Sequence, residues 1–304
     1  MNKTGICVVG AINIDLGGHS LAPLISGDSN PGSISISVGG VGRNIAADIA
    51  CLGHSVSFIT AFGSDSFAGI AKSDCAAMGL DISRALTVPD GRSSVYMYIS
   101  DCGGDMSVAI SDMDIVSDIT PAYLESCRDA LDSAGLVVFD CNLSQEAIIW
   151  LCGNVAAPLF ADPVSAAKAP KLLPVMDRLH TIKPNLLEAQ TLTGMVSPGD
   201  CAAALWKMGA KRAFVSLGAG GVCFCQNGSV QFAPNPSLTL IDATGAGDAS
   251  TAALASAYML DLDTQTSARY ALTASAITAE HPGAVFRGLS RAAVLDRMTL
   301  KGAE

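Results

Sequence analysis

Short apolar runs alternate with longer helical segments along most of this chain, and that alternation limits the fold more than any other feature. Five runs are typical of strands buried on both faces, at 6–9, 57–60, 136–139, 159–161 and 214–217. Helix candidates lie at about 41–52, 67–78, 121–130, 145–154, 185–193, 200–208 and 247–260. Such alternation predicts an α/β fold, with a mainly parallel sheet covered by helices on both faces.

Two regions depart from this pattern. Residues 33–38 and 94–100 alternate polar and apolar side chains, and residues 106–110 follow after a short turn. This alternation is typical of antiparallel strands with one covered face. It predicts a small protruding β-sheet, a lid, inserted at about 14–38 and 92–112 into one domain that spans 1–304. The apolar face of this sheet is larger than one ligand would cover, so we expect a homodimer through the lid.

Composition excludes several classes of partner. The net charge of −10 argues against nucleic acid and against anionic membrane surfaces, because both require clustered Lys and Arg. The ten cysteines form no CxxC pair and there are four histidines, which argues against a zinc site. No leader or membrane-spanning run is evident, and we expect a reduced, cytoplasmic location.

The stretch TGAGD at 244–248 separates an apolar segment at 238–241 from a strong helix-forming segment at 249–260. It predicts a tight turn before a helix whose first amides lack acceptors, and such amides attract anions. A carboxylate beside a phosphate needs a chemical task. For Asp248 the obvious task is to take a proton from a hydroxyl that attacks phosphorus. The alternative is that Asp248 merely complements the helix dipole.

Two further segments suggest a nucleotide site. KPNLLEAQTLTG at 183–194 predicts a helix that carries Asn185 and Glu188 on one face, which suits a hydrated Mg²⁺. The alternative is a capping Asn and a solvated Glu. VSLGAGGV at 215–222 predicts a strand ending in Ser216 and a glycine-rich turn. That turn either lets the backbone approach a base or ribose, or is an ordinary hairpin turn.

The first glycine cluster in chain order, ISVGGVGRNIA, occupies residues 36–46. Together with N-x-x-E at 185–188, the strand ending in SLG and D-x-TGAGD at 242–248, in this order, it resembles the ribokinase (PfkB) family of small-molecule kinases. The resemblance extends from residue 6 to about residue 283. It implies a ribokinase-like three-layer α/β/α domain with a β-sheet lid. It also implies that the substrates are ATP and a small molecule bearing a hydroxyl, with Mg²⁺ as cofactor.

The resemblance also implies roles for the matching residues. Asp248 would be the base, and the amides of Gly245, Ala246 and Gly247 would form an anion hole. The implied substrate ligands are Asn13, Asp15, Gly39, Gly40, Val41, Gly42 and Asn44. The implied nucleotide ligands are Asn185, Ser216, Gly218, Gly220 and Thr244. Glu188 would hold Mg²⁺ through water, and Asp242 and Thr244 match positions that hold a monovalent cation such as K⁺.

Val41 stands where sugar kinases of this family commonly have a basic residue, which favours a nucleoside over a free sugar. Longer runs, among them DSNPG at 28–32, SDMDI at 111–115 and DPVSAAK at 162–168, resemble the branch of the family that phosphorylates the 5′-hydroxyl of pseudouridine. Recognition of uracil requires donors and acceptors, and the candidates are Ser29, Asn30, Asp112 and Asn142. Each could equally cap a turn.

The roles of two basic residues stay open. Lys168 either reaches the transferred phosphoryl group or is a surface lysine, and Arg43 lies at the substrate rim or on the surface of a helix N-terminus.

Other functions are weighed against this one. Within the family, the alternatives are an adenosine kinase, an inosine–guanosine kinase or a ribokinase. A non-catalytic nucleoside-binding regulator would have no need of a base beside an anion hole. A dinucleotide-dependent oxidoreductase is disfavoured because no GxGxxG follows the first strand.

Overall fold

The computed structural model describes residues 5–300 of the chain. Its strands are, in chain order, β1 Gly5–Val9, β2 Asn13–Ser20, β3 Gly32–Gly39, β4 Val56–Ile59, β5 Ala61–Phe62, β6 Leu86–Thr87, β7 Val95–Ser100, β8 Met106–Asp112, β9 Ala134–Asp140, β10 Leu159–Asp162, β11 Thr181–Ile182, β12 Arg212–Ser216, β13 Val222–Gln226 and β14 Ser229–Ala233.

The helices are α1 Val41–Cys51, α2 Ser66–Ala77, α3 Pro121–Ser126, α4 Arg128–Ser133, α5 Gln145–Asn154, α6 Leu186–Thr193, α7 Pro198–Lys207, α8 Ala246–Met259, α9 Thr264–Ala279 and α10 Arg291–Leu300. Short 3₁₀ segments occupy Asp114–Asp118, Ala169–Arg178 and Gly218–Gly220. No helix within residues 5–300 is long and apolar enough to cross a membrane.

A large sheet forms the middle layer of the molecule. Within residues 5–300 it has eight strands in the order β14-β13-β12-β11-β10-β9-β1-β4. The strands from β12 to β4 in this order are parallel, whereas β13 and β14 add an antiparallel edge. One hydrophobic cluster packs helices α3 to α7 against one face, and a second packs α1, α2, α8, α9 and α10 against the other. The predicted three-layer α/β/α fold is therefore confirmed.

One helical prediction was wrong in detail, and the last two helices, α9 and α10, were not predicted. The helix expected at 121–130 is two short helices, because the chain turns at Cys127, whose amide bonds Leu124 O in a 3₁₀ arrangement. Helix α9 was missed altogether. Its sequence is rich in Thr and Ser, which are weak helix formers, and tertiary burial between α8 and α10 stabilises it instead.

The lid is a separate four-stranded sheet in the order β3-β2-β7-β8. This confirms a sheet outside the main one, but it is not wholly antiparallel, because β2 and β7 pair in parallel. Both of these strands run outward from the main sheet, and the returning strands β3 and β8 flank them as antiparallel neighbours. The division of 1–304 into one domain with lid insertions stays a prediction.

Register gives the lid two chemically different faces. In one row across the strands, Ile36 pairs with Leu16, Leu16 with Met97, and Met97 with Ile110. Because neighbours in register share a face, these four residues lie on one apolar face. The adjacent row contains Asp15, so polar side chains lie on the opposite face.

Candidate active site

The candidate site lies where the carboxyl ends of the parallel strands meet the N-termini of α1 and α8, the usual place for ligands in open α/β sheets. Helix α8 begins at Ala246, and Gly245 is its N-cap in the left-handed region, with φ of 74°. A side chain on Gly245 would collide with the backbone of Ala284. Glycine is therefore required for this turn, and the predicted turn and helix are confirmed. Anion binding by the amides of Gly245, Ala246 and Gly247 stays a prediction.

Asp248 lies in the first turn of α8 and is half-buried. Its Oδ2 accepts a hydrogen bond from Asn44 Nδ2 at 2.8 Å, which joins α8 to α1. Burial, and next the charge of Asp162, raises the pKa of Asp248 to about 7, although the Asn44 bond and the charge of Lys183 act in the opposite direction. A carboxylate with this pKa can accept a proton near neutral pH.

Two further carboxylates of the site were missed as functional residues. Asp140 ends β9 and accepts hydrogen bonds from the amides of Ala11 at 2.9 Å and Asn142 at 2.7 Å. Burial raises the pKa of Asp140 to about 6. Asp162 ends β10 and accepts a hydrogen bond from Thr251 Oγ1 at 2.7 Å. The sequence contained a signal for both residues. Each is an acid directly after an apolar run that was predicted as a strand, and ligands of open α/β sheets bind at the carboxyl ends of the strands.

A buried lysine partly offsets this negative charge. Lys183 follows β11, and its Nζ lies 3.5 Å from Asp162 Oδ2. Both side chains are nearly inaccessible to solvent. Their attraction is therefore less weakened by water than that of a surface ion pair. Lys183 belongs to a segment that was singled out from the sequence, but it was not itself predicted as a site residue.

The first glycine cluster packs mainly against protein. Gly40 has φ of 101°, and a side chain there would approach Ala11 O to 2.6 Å. A side chain on Gly42 would come within 2.8 Å of both the Ala11 amide and Asp140 Oδ2, and one on Gly39 would collide with Asp15. These glycines therefore let α1 and the lid strand β3 pack closely on the loop after β1. Contact of Gly39, Gly40 or Gly42 with substrate stays a prediction.

The other predicted substrate ligands near α1 lie close together. Asn13 Nδ2 donates to Asp15 Oδ1 at 2.6 Å at the base of the lid. Asn44 faces Asp248, as described above, and Val41 is partly buried against the core. Arg43 is at neither the substrate rim nor the surface, because it is 6% exposed and paired with Asp74 of α2.

The predicted base-reading residues fall into two groups. Asp112 ends β8 opposite Val95, which pairs in turn with Ile14, so it lies at the base of the lid but in register with the apolar face, and its carboxylate pairs with Arg92 at 3.2 Å. Its contact with the base stays a prediction. Asn142 lies two residues after Asp140, and its Oδ1 accepts a hydrogen bond from Lys168 Nζ at 2.5 Å. Asn142 and Lys168 are thus brought together at the carboxyl end of β9.

Ser29 and Asn30 lie in the loop joining β2 and β3, at the opposite end of these strands from Asn13. Asn30 Oδ1 accepts from the Ile25 amide at 2.8 Å, and its Nδ2 donates to Ile25 O and Asp28 O, both at 3.0 Å. These bonds support the turn-capping alternative for Asn30. The structure does not bring either residue to the cluster around Asp248, and their contact with the base stays a prediction.

Asn185 and Glu188 form a capping box at the start of α6. Asn185 is the N-cap and not a residue of the helix, so the two side chains meet by capping and not by sharing a helical face. Glu188 Oε2 accepts from the Asn185 amide at 2.8 Å, and Asn185 Oδ1 accepts from the Glu188 amide at 2.9 Å. The alternative of a capping Asn was right, but Glu188 is buried and not solvated.

A cavity of about 260 Å³ opens beside the first turn of α8. Three predicted nucleotide ligands line it: Asn185, Ser216 and Gly218. Gly218 lies in the turn that joins the antiparallel strands β12 and β13, so the glycine-rich segment is a hairpin turn that also borders the cavity. Gly220 lies in the same turn, whereas Lys168 lies instead with Asn142. Residues that were missed complete the lining, and they include Asn235, Ala243, Ser250, Ala271 and Ser275.

Asp242 and Thr244 lie in the loop before α8. Asp242 Oδ1 accepts from the Thr244 amide and its Oδ2 accepts from the Gly283 amide, both at 2.9 Å. The carboxylate therefore ties this loop to the segment after α9. A monovalent cation at Asp242 and Thr244 stays a prediction.

Comparisons with known proteins bear on the family and on the fold. Residues 3–290 match the model of the pfkB family of carbohydrate kinases. The chain is 38% identical over 276 residues to pseudouridine kinase from Escherichia coli (strain K12), which covers 88% of each chain. It resembles the structure of a carbohydrate kinase from Agrobacterium tumefaciens with a TM-score of 0.88 and 28% identity, covering 98% of this chain and 97% of that one. For Arabidopsis thaliana ribokinase complexed with ribose and ATP, the TM-score is 0.85, the identity 22% and the coverage 96% and 98%.

One buried acid beside the site gives a testable pH dependence of stability. Asp48 of α1 is fully buried, and within the described residues neither carboxylate oxygen has a hydrogen-bond partner. Burial, and next the charge of Asp248, raises the pKa of Asp48 well above its ordinary value. The folded chain therefore keeps a proton that the unfolded chain releases above about pH 3.9, so this contribution to stability is lost as pH rises.

We expect Asp48→Asn to remove this loss. As pH rises from 5 to 8, the free energy of unfolding of the variant should increase relative to that of the parent chain, so that the variant is the more stable of the two at pH 8, measured by urea denaturation at several pH values. The exposed Asp118→Asn is the control for removing a surface carboxylate. A difference between Asp48→Asn and the parent that stays constant with pH would contradict a protonated Asp48.

Proposed function

The chain belongs to the pfkB family of carbohydrate kinases, and we propose that it transfers the γ-phosphoryl group of ATP to the 5′-hydroxyl of pseudouridine, with Asp248 as general base. The coarser activity follows from the family: the chain is an ATP-dependent phosphotransferase that acts on a hydroxyl of a small molecule. The observation that supports the mechanism is the placement of Asp248 in the first turn of α8, where burial, and next the charge of Asp162, raises its pKa to about 7. The similarity to E. coli pseudouridine kinase supports the substrate.

In the proposed reaction, Asp248 Oδ1 accepts the proton of the 5′-hydroxyl. The hydroxyl oxygen bonds to the γ-phosphorus of ATP while the bond from that phosphorus to the β,γ-bridging oxygen breaks. The products are pseudouridine 5′-phosphate, ADP and protonated Asp248. The amides at the start of α8 would face the three phosphoryl oxygens, and Lys183 would lower the local negative charge.

Asn185 and Glu188 fit a Mg²⁺ ion bound through water. A carboxylate and a carboxamide are suitable hard oxygen donors, but each already makes hydrogen bonds in the capping box. Water between these oxygens and the ion would preserve both sets of interactions. When bound, the ion would neutralise charge on the ATP phosphates. We further propose a K⁺ ion at Asp242 and Thr244 and a cytoplasmic location.

A homodimer through the apolar face of the lid is part of the same proposal. Its large exposed side chains include Ile34, Ile36, Met97, Val108 and Ile110. A contiguous exposed apolar surface of this kind is typical of a protein interface. A second copy of this chain offers the same surface, so that two lids would cover each other in a symmetric contact.

The substrate assignment predicts a ranking. With ATP and Mg²⁺ fixed, pseudouridine should have the highest kcat/KM in a panel with uridine, adenosine and ribose, measured by ADP release. The similarity to the E. coli relative motivates this order. In addition, the partly buried Val41 provides no positive charge at the position where sugar kinases of the family commonly have a basic residue. A preference for ribose or adenosine by about tenfold, which is about 1.4 kcal/mol in transition-state binding, would reject pseudouridine while the kinase assignment remained.

The base assignment predicts the effect of Asp248→Asn. This variant keeps the shape of the side chain but removes the proton acceptor, so kcat should fall by about 10²–10⁴-fold while nucleoside affinity changes little. Isothermal titration measures the affinity, and thermal unfolding confirms that the variant is folded. If Asp248 only complemented the helix dipole, the variant would lose roughly 0.3–1 kcal/mol of stability and keep its turnover. Near-normal turnover in the folded variant would therefore exclude the proposed base.

The proposed dimer predicts that a negative charge on one face of β3 breaks the dimer, whereas the same charge on the other face does not. Ile36→Asp places a carboxylate on the apolar face of β3, and we expect sedimentation velocity to show a monomer where the parent chain is a dimer. Ser33→Asp places the same charge on the opposite face of β3 and should leave the dimer intact. A parent chain that sediments as a monomer, or equal effects of the two charges, would rule out this interface.

A further inference from the structure

Arg43 is a buried cation in the first turn of α1, and its donors are divided between two partners. Its Nε and Nη2 donate to Asp74 Oδ2 at 2.8 and 2.5 Å. Its Nη1 donates to Asn44 Oδ1 at 3.1 Å. Asp74 therefore fixes the plane of the guanidinium group, and the remaining edge of that group meets the side chain of Asn44.

The contact with Arg43 determines which way the Asn44 amide points. The oxygen and nitrogen of an Asn side chain have nearly the same shape, so hydrogen-bond partners decide between the two orientations. Arginine can only donate, and it therefore requires Oδ1 of Asn44 on its side. As a result, Nδ2 faces Asp248, to which it donates at 2.8 Å.

The opposite orientation would be unfavourable for a base. It would place the Asn44 oxygen against the Asp248 carboxylate, and it would leave the Asn44 NH₂ group against the guanidinium. Among the described residues, Asn44 is the single hydrogen-bond donor to the Asp248 carboxylate, and it donates to Oδ2. With Oδ2 engaged, Oδ1 is left for a substrate.

We propose that Arg43 is a positioning residue for phosphoryl transfer: it orients the Asn44 amide so that Nδ2 binds Oδ2 of Asp248 and Oδ1 is left to accept the proton of the substrate hydroxyl. This role rests on the proposed function, because it requires Asp248 to be the base. Arg43 itself would touch neither nucleoside nor ATP. It acts through Asn44.

The charges around Asp248 show why one oriented donor matters. Asp48 faces it from α1, Asp140 from the end of β9, Asp162 from the end of β10, and Lys183 from the segment after β11. Three of these four groups are acids. A hydrogen bond to the charged form of Asp248 opposes their effect and keeps the carboxylate ionised at lower pH.

The test is a double-mutant cycle read through pH profiles of kcat/KM with pseudouridine. It uses Arg43→Met, Asn44→Ala and the double variant. Arg43→Met should move the acid limb up by roughly one pH unit, the effect of losing one charge-assisted hydrogen bond. At pH 6, kcat/KM should fall roughly tenfold and recover towards the parent value by pH 9. In the Asn44→Ala background, Arg43→Met should shift the limb no further.

Two controls separate orientation from charge and from folding. Arg287→Met also removes a cation that pairs with Asp74, at 3.5 Å, but Arg287 is largely exposed and does not contact Asn44. It should leave the acid limb unmoved. If Arg43→Met does not give folded protein, the cycle is run with Arg43→Lys, which keeps the charge but lacks the planar fork of donors. The same shift is expected.

Three results would overturn the role of Arg43: an unmoved limb in the folded variant, an equal shift with and without Asn44, or a loss of kcat/KM that is the same at every pH. The last result is expected if Arg43 only joins α1 to α2. Asp248→Asn tests the premise separately. If that variant is inactive while the cycle is additive, the base assignment survives and only the role of Arg43 fails.

Discussion

The structure depends on holding several carboxylates close together and away from water at the carboxyl edge of one sheet. Asp140, Asp162 and Asp248 meet there, and burial together with their mutual repulsion raises the pKa of Asp140 and Asp248. Such an arrangement is unfavourable unless each group is hydrogen-bonded, paired or protonated. Asp140 has two backbone donors, Asp162 has Thr251 and Lys183, and Asp248 has Asn44. The same environment that is costly for folding raises the pKa of Asp248, the proposed base, to about 7.

The glycines of the first cluster are required by this arrangement. Asp140 reaches the Ala11 amide only because Gly10 and Gly42 have no side chains, since a Cβ on either would collide with its carboxylate. The close packing in turn brings α1 near α8, so that Asn44 can reach Asp248. The glycines thus support the surroundings of Asp248 through protein packing. Their contact with the sugar, which the family resemblance implies, stays a prediction.

The sequence predicted the layers, the separate lid and the start of α8, because each depends on local periodicity or on a glycine that only one turn geometry explains. It did not predict α9, a helix rich in Thr and Ser that packs against α8 and α10. Nor did it predict the pairing of Arg43 with Asp74, which lie 31 residues apart. The capping box of Asn185 and Glu188 was considered but not preferred, since spacing alone does not distinguish an N-cap from a helical residue. The spacing of residues in the sequence thus predicted local structure better than it predicted contacts between residues that are far apart in the chain.

Eight consecutive residues link the lid to the proposed base. Ser37 of β3 pairs with Asp15 of β2, Gly40 follows the end of β3 as the N-cap of α1 in a backbone conformation that favours glycine, and Asn44, which donates to Asp248, lies in the first turn of α1. A helix that begins directly after a lid strand keeps the distance from Asp15 to Asn44 short and its geometry rigid. In the proposed function, a substrate hydroxyl bound at the base of the lid would be presented to Asp248 by the segment that contains Asn44. Within this segment Gly39, Gly40 and Gly42 have no room for a side chain, so the close packing of β3 and α1 against β2 and the loop after β1 depends on these three glycines.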